Sequence, residues 1–163
     1  MVELELLGIS KAVENGCLIV MLRHENRVLP IVVGEYEAIA IQRAVLGEKM
    51  PRPMTHDLIC NLLAGLHATL QSVTIYALEN DTFYAHLNIE QHNAHGALEQ
   101  ILRIDSRPSD GIAIAVRVGC PIFASDDVMT SASHEARIAS ADEDLEDEEE
   151  GESDDDLGSE EPL

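Results

Sequence analysis

Apolar and polar residues alternate at the start of the chain, where every second residue from Val2 to Leu6 is apolar and the residues between them are glutamates. A period of two is typical of a β-strand with one buried face. Two further apolar runs, residues 16–22 and 28–33, flank a polar segment that contains Asn26. Apolar runs of this length on either side of a turn residue predict a β-hairpin.

The pattern changes to helical spacing after Gly34. Apolar residues three and four positions apart predict a helix over 35–46, which begins with acidic residues and ends at Gly47. Thr55 is a suitable N-cap for a second helix that continues to about Leu66. Two amphipathic helices therefore follow the predicted hairpin.

The second half of the chain predicts three strands, a helix, a short strand and a final short helix. Strand patterns cover 72–78, 83–90 and 98–104, and the turn sequence Glu-Asn-Asp-Thr joins the first two. Pro108 suits the beginning of a helix over 109–118, because the first helical position needs no backbone N–H. These elements predict an α+β fold with a mainly antiparallel or mixed β-sheet and three to four helices.

The last part of the chain has a different composition. Fourteen of the 31 acidic residues, and no Lys or Arg, lie between Asp142 and the C-terminus. Such a segment has too little apolar surface to offset the entropy cost of folding. We therefore expect one folded domain over residues 1–138 and a disordered acidic tail over residues 139–163.

Charge and composition exclude several classes of protein. Outside the tail, 17 acidic residues face ten basic ones, so the domain lacks the basic surface of a protein that binds duplex DNA tightly. No apolar run approaches the roughly 18 residues of a membrane span, and no signal-peptide pattern precedes the first strand. The three cysteines have no paired spacing, which favours reduced thiols and a cytoplasmic location.

The stretch 104–117, which begins Ile-Asp-Ser-Arg-Pro-Ser-Asp-Gly, places ionisable side chains at the start of the third helix. Asp105 and Asp110 are suited to hold a divalent cation that activates water, and Arg107 is suited to neutralise a phosphate. The structural alternative is that the acids cap the helix and that Arg107 pairs with one of them. The residues alone leave both interpretations open.

A second stretch of similar character, Pro-Arg-Pro-Met-Thr-His-Asp-Leu over 51–58, precedes another helix. A histidine near a helix N-terminus tends to be neutral, which suits His56 to act as a general base or metal ligand. Asp57 is explained equally well as a metal ligand or as an acid that favours the helix dipole. Arg52 beside its prolines is placed to grip a phosphate or to bind acids across a subunit interface.

Other recurrent motifs do not point to a function. His86, His92 and His95 lack the spacing of a metal site, and an incidental role is expected for them. Nucleotide-binding glycine loops, a nucleophile elbow and a zinc-protease motif are absent from the sequence. No organic cofactor is expected.

Several segments resemble the bifunctional nuclease domain family, in matching order and spacing from Met1 to about Thr130. In Ile-Asp-Ser-Arg-Pro-Ser-Asp-Gly, Gly111 stands where the family often has Ala, which we expect to loosen the helix slightly. The segments that carry the resemblance are Gly-Glu-Tyr-Glu-Ala-Ile-Ala-Ile at 34–41, the 51–58 stretch, Phe-Tyr-Ala-His-Leu at 83–87, the 104–117 stretch and Cys-Pro-Ile-Phe at 120–123.

The resemblance implies a nuclease that hydrolyses phosphodiester bonds in DNA, RNA or both, assisted by Mg²⁺ or Mn²⁺, and a chain that self-associates. Single-stranded nucleic acid or RNA is the expected partner, and no membrane partner is expected. The site residues that match the motifs and have suitable chemistry are His56, Asp105 and Asp110 as catalytic groups, Arg52, Arg107 and Ser109 as substrate-binding groups, and Asp57, Asp105 and Asp110 as metal ligands.

The alternative function is a non-enzymatic, oligomeric binding or regulatory module whose two Arg-Pro motifs form subunit interfaces. The acidic domain favours this alternative, because it would repel nucleic acid unless a local patch compensated. Convergence of the two motifs at an open pocket would favour the nuclease. Burial of the motifs with all their charges paired would favour the module.

Overall fold

A computed structural model describes residues 1–12 and 16–136. The described residues form one mixed sheet of eight strands and four helices, which confirms the predicted α+β class. In chain order the elements are β1 (Val2–Lys11), β2 (Leu18–His24), β3 (Arg27–Val33), α1 (Glu35–Val45), α2 (Thr55–Gly65), β4 (Ala68–Glu79), β5 (Thr82–His92), β6 (Leu98–Ser106), α3 (Pro108–Val118), β7 (Ile122–Ala124), α4 (Asp126–Ala132) and β8 (His134–Glu135).

The strand order is β6-β5-β4-β7-β1-β2-β3-β8. Neighbouring strands are antiparallel except for β4 and β7, which are parallel. The short strand β7 joins two antiparallel halves, because it pairs with the beginning of β1 on one side and with β4 on the other. Residues from both halves contribute to one aliphatic core.

Two tight turns contain residues with positive φ. Glu25 has φ 52° in the turn between β2 and β3, and Asn80 and Asp81 have φ 48° and 60° between β4 and β5. Two consecutive residues with positive φ give the turn the twist that an antiparallel hairpin needs, and Asn and Asp adopt this conformation more readily than most residues. Asn80 and Asp81 meet this condition, whereas the first turn has positive φ at Glu25 alone; both strand pairs are antiparallel, as the sequence predicts.

Helix α3 is the most deeply buried helix of the described chain. It packs on β4 and β5 and lies between α1 and α2. Seven of its residues, Pro108, Ser109 and 111–115, are buried. Pro108 occupies the first turn, as predicted, and Gly119 ends the helix in the left-handed conformation. The ends of α3 therefore set where the 104–117 stretch meets the other two helices.

Two predicted caps differ from the structure. Met54, rather than Thr55, is the N-cap of α2, and the Asp57 carboxylate accepts a hydrogen bond from the Met54 backbone N–H at 2.9 Å. Asp105 does not cap α3, because β6 continues to Ser106 and Arg107 takes the N-cap position. In both cases the helix begins one or two residues away from the polar side chain that predicted its start.

None of the helices among the described residues is long and apolar enough to cross a membrane. The predicted acidic tail over 139–163 lies outside the described residues, so the division of the chain at residue 138 stays a prediction.

Gly111 allows α3 to lie close to the sheet, and we predict that replacing it with Ala destabilises the protein. A Cβ at this position would lie 2.8 Å from Val73 Cγ1, and Val73 is fully buried. Helix propensity alone favours Ala by about 1 kcal/mol, whereas forcing a methyl group into a packed core costs about 1–3 kcal/mol. The two effects together give an expected net loss of up to about 2 kcal/mol in the free energy of unfolding of Gly111→Ala, as measured by urea unfolding.

Gly65→Ala is the matched control, because a Cβ on this exposed α2 residue meets no atom within 4 Å. We expect it to leave the free energy of unfolding unchanged or to raise it by up to about 1 kcal/mol. Equal stabilisation by both substitutions would contradict the packing role of Gly111.

Candidate active site at three helix N-termini

The N-termini of α1, α2 and α3 meet at one place. Each helix carries an acidic residue at its third position, namely Glu37, Asp57 and Asp110. An acid in the first turn favours a helix, because the free backbone N–H groups there give a partial positive charge. Ion pairs join the three helices at these acids. The acids have local reasons to occur at helix N-termini, but the packing of the three helices brings the two sequence motifs together.

His56 and Asp110 form a hydrogen-bonded pair between α2 and α3. His56 Nε2 lies 3.1 Å from Asp110 Oδ1, and the two side chains are 14% and 29% exposed. An ionised carboxylate can only accept a hydrogen bond, so Nε2 carries the proton in this contact. Nδ1 of a neutral His56 is then the nitrogen that can accept another proton.

Arg107 joins Asp110 to Glu37. Its Nε and Nη2 donate to the two carboxylate oxygens of Asp110 at 2.7 and 3.2 Å, and its Nη1 donates to Glu37 Oε1 at 2.9 Å. Burial alone would raise the pKa of Asp110, but the hydrogen bonds from Arg107 and His56 outweigh burial and leave that pKa below its usual value. The hydrogen bond to Asp110 is also the main cause that raises the pKa of Arg107.

An open cleft of ≈ 340 Å³ lies beside this cluster. Glu37, Arg107 and Ser109 line one side, and the other walls come from β3 and from the turn between β4 and β5. Arg107 remains 65% exposed even though it holds two carboxylates. Helix N-termini and an accessible guanidinium are the groups that bind phosphate oxygens in proteins. The cleft is therefore chemically suited to an anionic ligand.

A separate ion pair braces α2 against the other two helices. Arg117 Nε donates to Asp57 Oδ1 at 2.6 Å, and its Nη1 donates to the backbone carbonyls of Ala40 and Ala113 at 3.1 and 2.8 Å. The other carboxylate oxygen of Asp57 caps Met54. Both oxygens of Asp57 are thus occupied by protein donors, which favours a structural role over the predicted metal ligation.

The structure brings some of the predicted site residues together and leaves others apart. Asp110 contacts both His56 and Arg107, and Arg107 and Ser109 line the cleft. Arg52 is exposed in the loop before α2 and makes no hydrogen bond or ion pair with another described residue.

Asp105 does not reach the cluster. It pairs with His86 across β5 and β6, so both side chains lie on one face of the sheet. Ala85 and Leu87, the neighbours of His86 in β5, are buried on the face that α3 covers. Asp105 therefore lies on the opposite face from Asp110, and the two carboxylates that sequence proximity suggested as a pair are separated by the sheet.

Sequence reasoning gave too little weight to Glu37 and missed Arg117. Glu37 was expected to be an ordinary acid of the first helical turn. The available signal was the repeated acid at the third position of three successive helices, each of which needs a cationic partner once it is brought near the others. Arg117 follows Asp110 by two helical turns, and nothing in the sequence indicates its contact with Asp57.

The carboxylates near the cleft do not fit a divalent cation as they are arranged. Among residues 1–12 and 16–136, no group of three or more His, Cys, Asp or Glu is placed to hold a metal ion. The guanidinium of Arg107 binds both Glu37 and Asp110, so a cation there would have to displace it. The predicted dependence on Mg²⁺ or Mn²⁺ therefore stays a prediction.

Comparison with known sequences agrees with the motifs. The bifunctional nuclease domain profile matches residues 18–137. The chain is 38% identical over 132 residues to an uncharacterized protein of Mycobacterium tuberculosis, covering 80% of this chain and 75% of that protein. Bifunctional nuclease 1 of Oryza sativa subsp. japonica is 29% identical over 94 residues, covering 58% of this chain and 28% of the rice protein. This chain belongs to the bifunctional nuclease domain family.

We predict that the Asp57–Arg117 brace stabilises the protein in a pH-dependent way. The hydrogen bond from Arg117 lowers the pKa of Asp57 in the folded state. The stabilisation is therefore complete above the unfolded-state pKa, near 3.9, and is lost as the pH falls through the lower folded-state pKa. We expect Asp57→Asn to lose about 1–2 kcal/mol at pH 7, after allowance for partial exposure.

Urea unfolding at several pH values between 7 and the acid limit checks this expectation. The difference between wild type and Asp57→Asn should narrow below about pH 4. Glu99→Gln, at an exposed position of β6, serves as the control and should stay within about 0.5 kcal/mol of wild type. If the difference in the free energy of unfolding between wild type and Asp57→Asn does not change with pH, the lost stability does not come from the ionised carboxylate.

Proposed function

We propose that this protein is a nuclease that hydrolyses phosphodiester bonds in the cleft beside Arg107. The observation that carries the proposal is the contact of His56, Asp110 and Arg107 at three helix N-termini next to an open cleft, in a member of the bifunctional nuclease domain family. DNA and RNA are both candidate substrates. The Oryza proteins with related sequences carry the name bifunctional nuclease.

The geometry supports a role for each side chain. Asp110 holds His56 through Nε2, so Nδ1 would accept the proton of a water molecule as its oxygen attacks phosphorus. Arg107 would neutralise the charge that develops on the phosphate oxygens, and the helix N-termini would add to this effect. As the phosphorus–oxygen bond of the leaving group breaks, the leaving oxygen would take a proton from solvent. Arg52 would contact a neighbouring phosphate.

We also propose that the chain self-associates, but through α2 rather than through the Arg-Pro motifs. Arg107 is paired within its own chain, which weakens the idea that it binds a second copy. In contrast, α2 has no buried residue. Exposed apolar side chains recur every four residues along it, at Met54, Leu58, Leu62 and Leu66. A continuous apolar stripe of this kind marks a protein interface.

The oligomeric module remains the second candidate function, and the α2 stripe is the observation that favours it. The stripe begins beside His56, so a second copy bound there would lie near the cleft. Self-association is therefore compatible with either function.

The cytoplasm is the proposed location. Cys60 and Cys120 are free thiols within the described structure. Burial raises the pKa of both, that of Cys120 to about 11, so neither is a reactive thiolate at neutral pH. Free, half-buried thiols are typical of proteins in reducing compartments.

We predict that His56→Gln and Asp110→Asn lower the hydrolysis rate by about 10²- to 10⁴-fold, which is the usual contribution of a general base. Labelled single-stranded RNA and DNA would be incubated with each protein, with and without Mg²⁺ or Mn²⁺. Glu35→Gln changes an exposed carboxylate at the first position of α1 and should retain wild-type activity. Equal cleavage by wild type and Asp110→Asn would indicate a contaminating nuclease.

Asp105→Asn in the same assay tests whether Asp105 takes part in hydrolysis, as its nearness to Asp110 in the sequence suggested. Because Asp105 lies across the sheet from the cleft, we expect hydrolysis to be retained. A decrease in the hydrolysis rate as large as that of Asp110→Asn would show that Asp105 is a catalytic residue.

We predict that Leu58→Glu combined with Leu62→Glu converts the protein to monomers, because two charges in an apolar interface remain without partners. Sedimentation velocity over a range of concentrations measures the mass. Ile101→Glu is the control, because Ile101 is 66% exposed on β6 and lies outside the stripe. Monomeric wild-type protein, or oligomers that survive the double substitution, would contradict the interface.

A further inference from the structure

The sheet has a second face, turned away from α3, that the proposed cleavage chemistry does not use. Along β5 the buried side chains of Ala85 and Leu87 alternate with those of Tyr84, His86 and Asn88. Successive residues of a strand point to opposite faces, so the second set lies on the uncovered side of the sheet.

Aromatic rings gather on this uncovered face. The Tyr76 ring centroid lies 5.2 Å from that of His86 and 6.3 Å from that of Tyr84. Phe123 lines the same groove as Tyr76 and His86. The chain has only three Tyr and two Phe and no Trp, so three of its five large aromatic rings lie at one place. Tyr76 and Tyr84 are 43% and 37% exposed, which is more than core packing requires.

Polar groups form the floor of the groove, which has a volume of ≈ 500 Å³. Asn88 Nδ2 donates to Ser72 Oγ at 2.9 Å and to Thr74 Oγ1 at 3.0 Å, so the amide is held in one orientation. Burial, with a smaller effect of Arg103, lowers the pKa of His86, which keeps this imidazole neutral at pH 7. The groove therefore combines exposed rings with uncharged hydrogen-bonding groups.

We propose that this groove binds bases of a single-stranded nucleic acid, with one base stacked on Tyr76. A nucleobase is flat and uncharged and has hydrogen-bonding edges, which match the rings and the polar floor. Arg103 lines the groove and is placed to contact the phosphate attached to that base. Bases in a duplex are already stacked inside the helix and would not reach the rings.

The charges around the groove favour binding through stacked bases rather than through contacts with many phosphates. Asp105 lies opposite His86, and Asp126 binds the amino group of Met1 at the other side. Arg103 is the one Lys or Arg side chain among the described residues that line the groove, so few phosphates can be neutralised here. Affinity should depend on the bases and only weakly on salt.

The groove and the cleft lie on opposite faces of the sheet, and β5 contributes residues to both. The turn between β4 and β5 and the side chain of Phe83 line the cleft, and Tyr84 follows on the opposite face. Ser106, which precedes Arg107, pairs with Ala85. A strand that leaves the cleft around this edge would reach Tyr84 and then Tyr76. The inference thus rests on the proposed nuclease function and identifies its substrate as single-stranded.

Fluorescence anisotropy of a labelled oligo(dT) of about eight nucleotides tests the groove in the full chain. The Asp110→Asn background keeps the probe intact. We expect Tyr76→Ala to weaken binding by about 5- to 150-fold and Tyr76→Phe to retain it, because the ring supplies the stacking. Tyr36→Ala is the control, because Tyr36 is an exposed tyrosine on α1, far from the groove in the sequence and on a different element.

Two further probes need no substitution in the groove. An abasic oligonucleotide of the same length and a duplex of the same sequence should both bind the Asp110→Asn protein more weakly than oligo(dT). Equal binding of the abasic probe, equal binding of the duplex, no binding of oligo(dT), or full binding by Tyr76→Ala would overturn the proposal.

The same proteins separate this inference from the proposed function. If oligonucleotide binding depends on Tyr76 but the wild type does not hydrolyse nucleic acid, the proposed nuclease function is rejected and base binding in the groove is retained. If hydrolysis requires Asp110 but Tyr76→Ala does not change oligonucleotide binding, base binding in the groove is rejected and the nuclease function is retained.

Discussion

The close approach of α3 to strands β4 and β5 positions every charged group of the helical cluster. Gly111 permits this approach because it places no Cβ against Val73. One turn earlier, Arg107 connects α3 to α1 through Glu37. Two turns later, Arg117 connects α3 to α2 through Asp57 and to α1 through the carbonyl of Ala40. A shift of α3 along the sheet would break the contacts at both ends.

Local patterns predicted the elements of this fold better than their arrangement. The Asn80–Asp81 turn and Pro108 at the start of α3 act through their own backbone conformations, so sequence was sufficient to place them. The strand order could not be predicted in the same way. Strand β7 has three residues, yet it joins the two halves of the sheet, and its partners β1 and β4 are far away in the chain. Such long-range pairing is decided by the total packing and has no local signal.

The site shows the same division. Both motifs were recognisable because each lies at a helix N-terminus, where Asp, Pro and Arg have local reasons to occur. Asp105 lies apart from Asp110 because β6 runs to Ser106, and the two-residue period of a strand then puts its side chain on the face opposite α3. The contacts of Glu37 and Arg117 depend on how three helices pack together. No spacing within one helix encodes them.

The cluster also explains how an acidic protein can present an anion site. Arg107 donates to Asp110 through two nitrogens but to Glu37 through only one. Under the proposed function, a phosphate entering the cleft would replace the single contact with Glu37, while the two contacts with Asp110 would keep the guanidinium in place. The helix N-termini favour the incoming charge by about 0.3–1 kcal/mol each. Under the proposed function, phosphate binding would therefore depend on local geometry, and the negative charge of the whole chain would oppose it only through screened, longer-range repulsion.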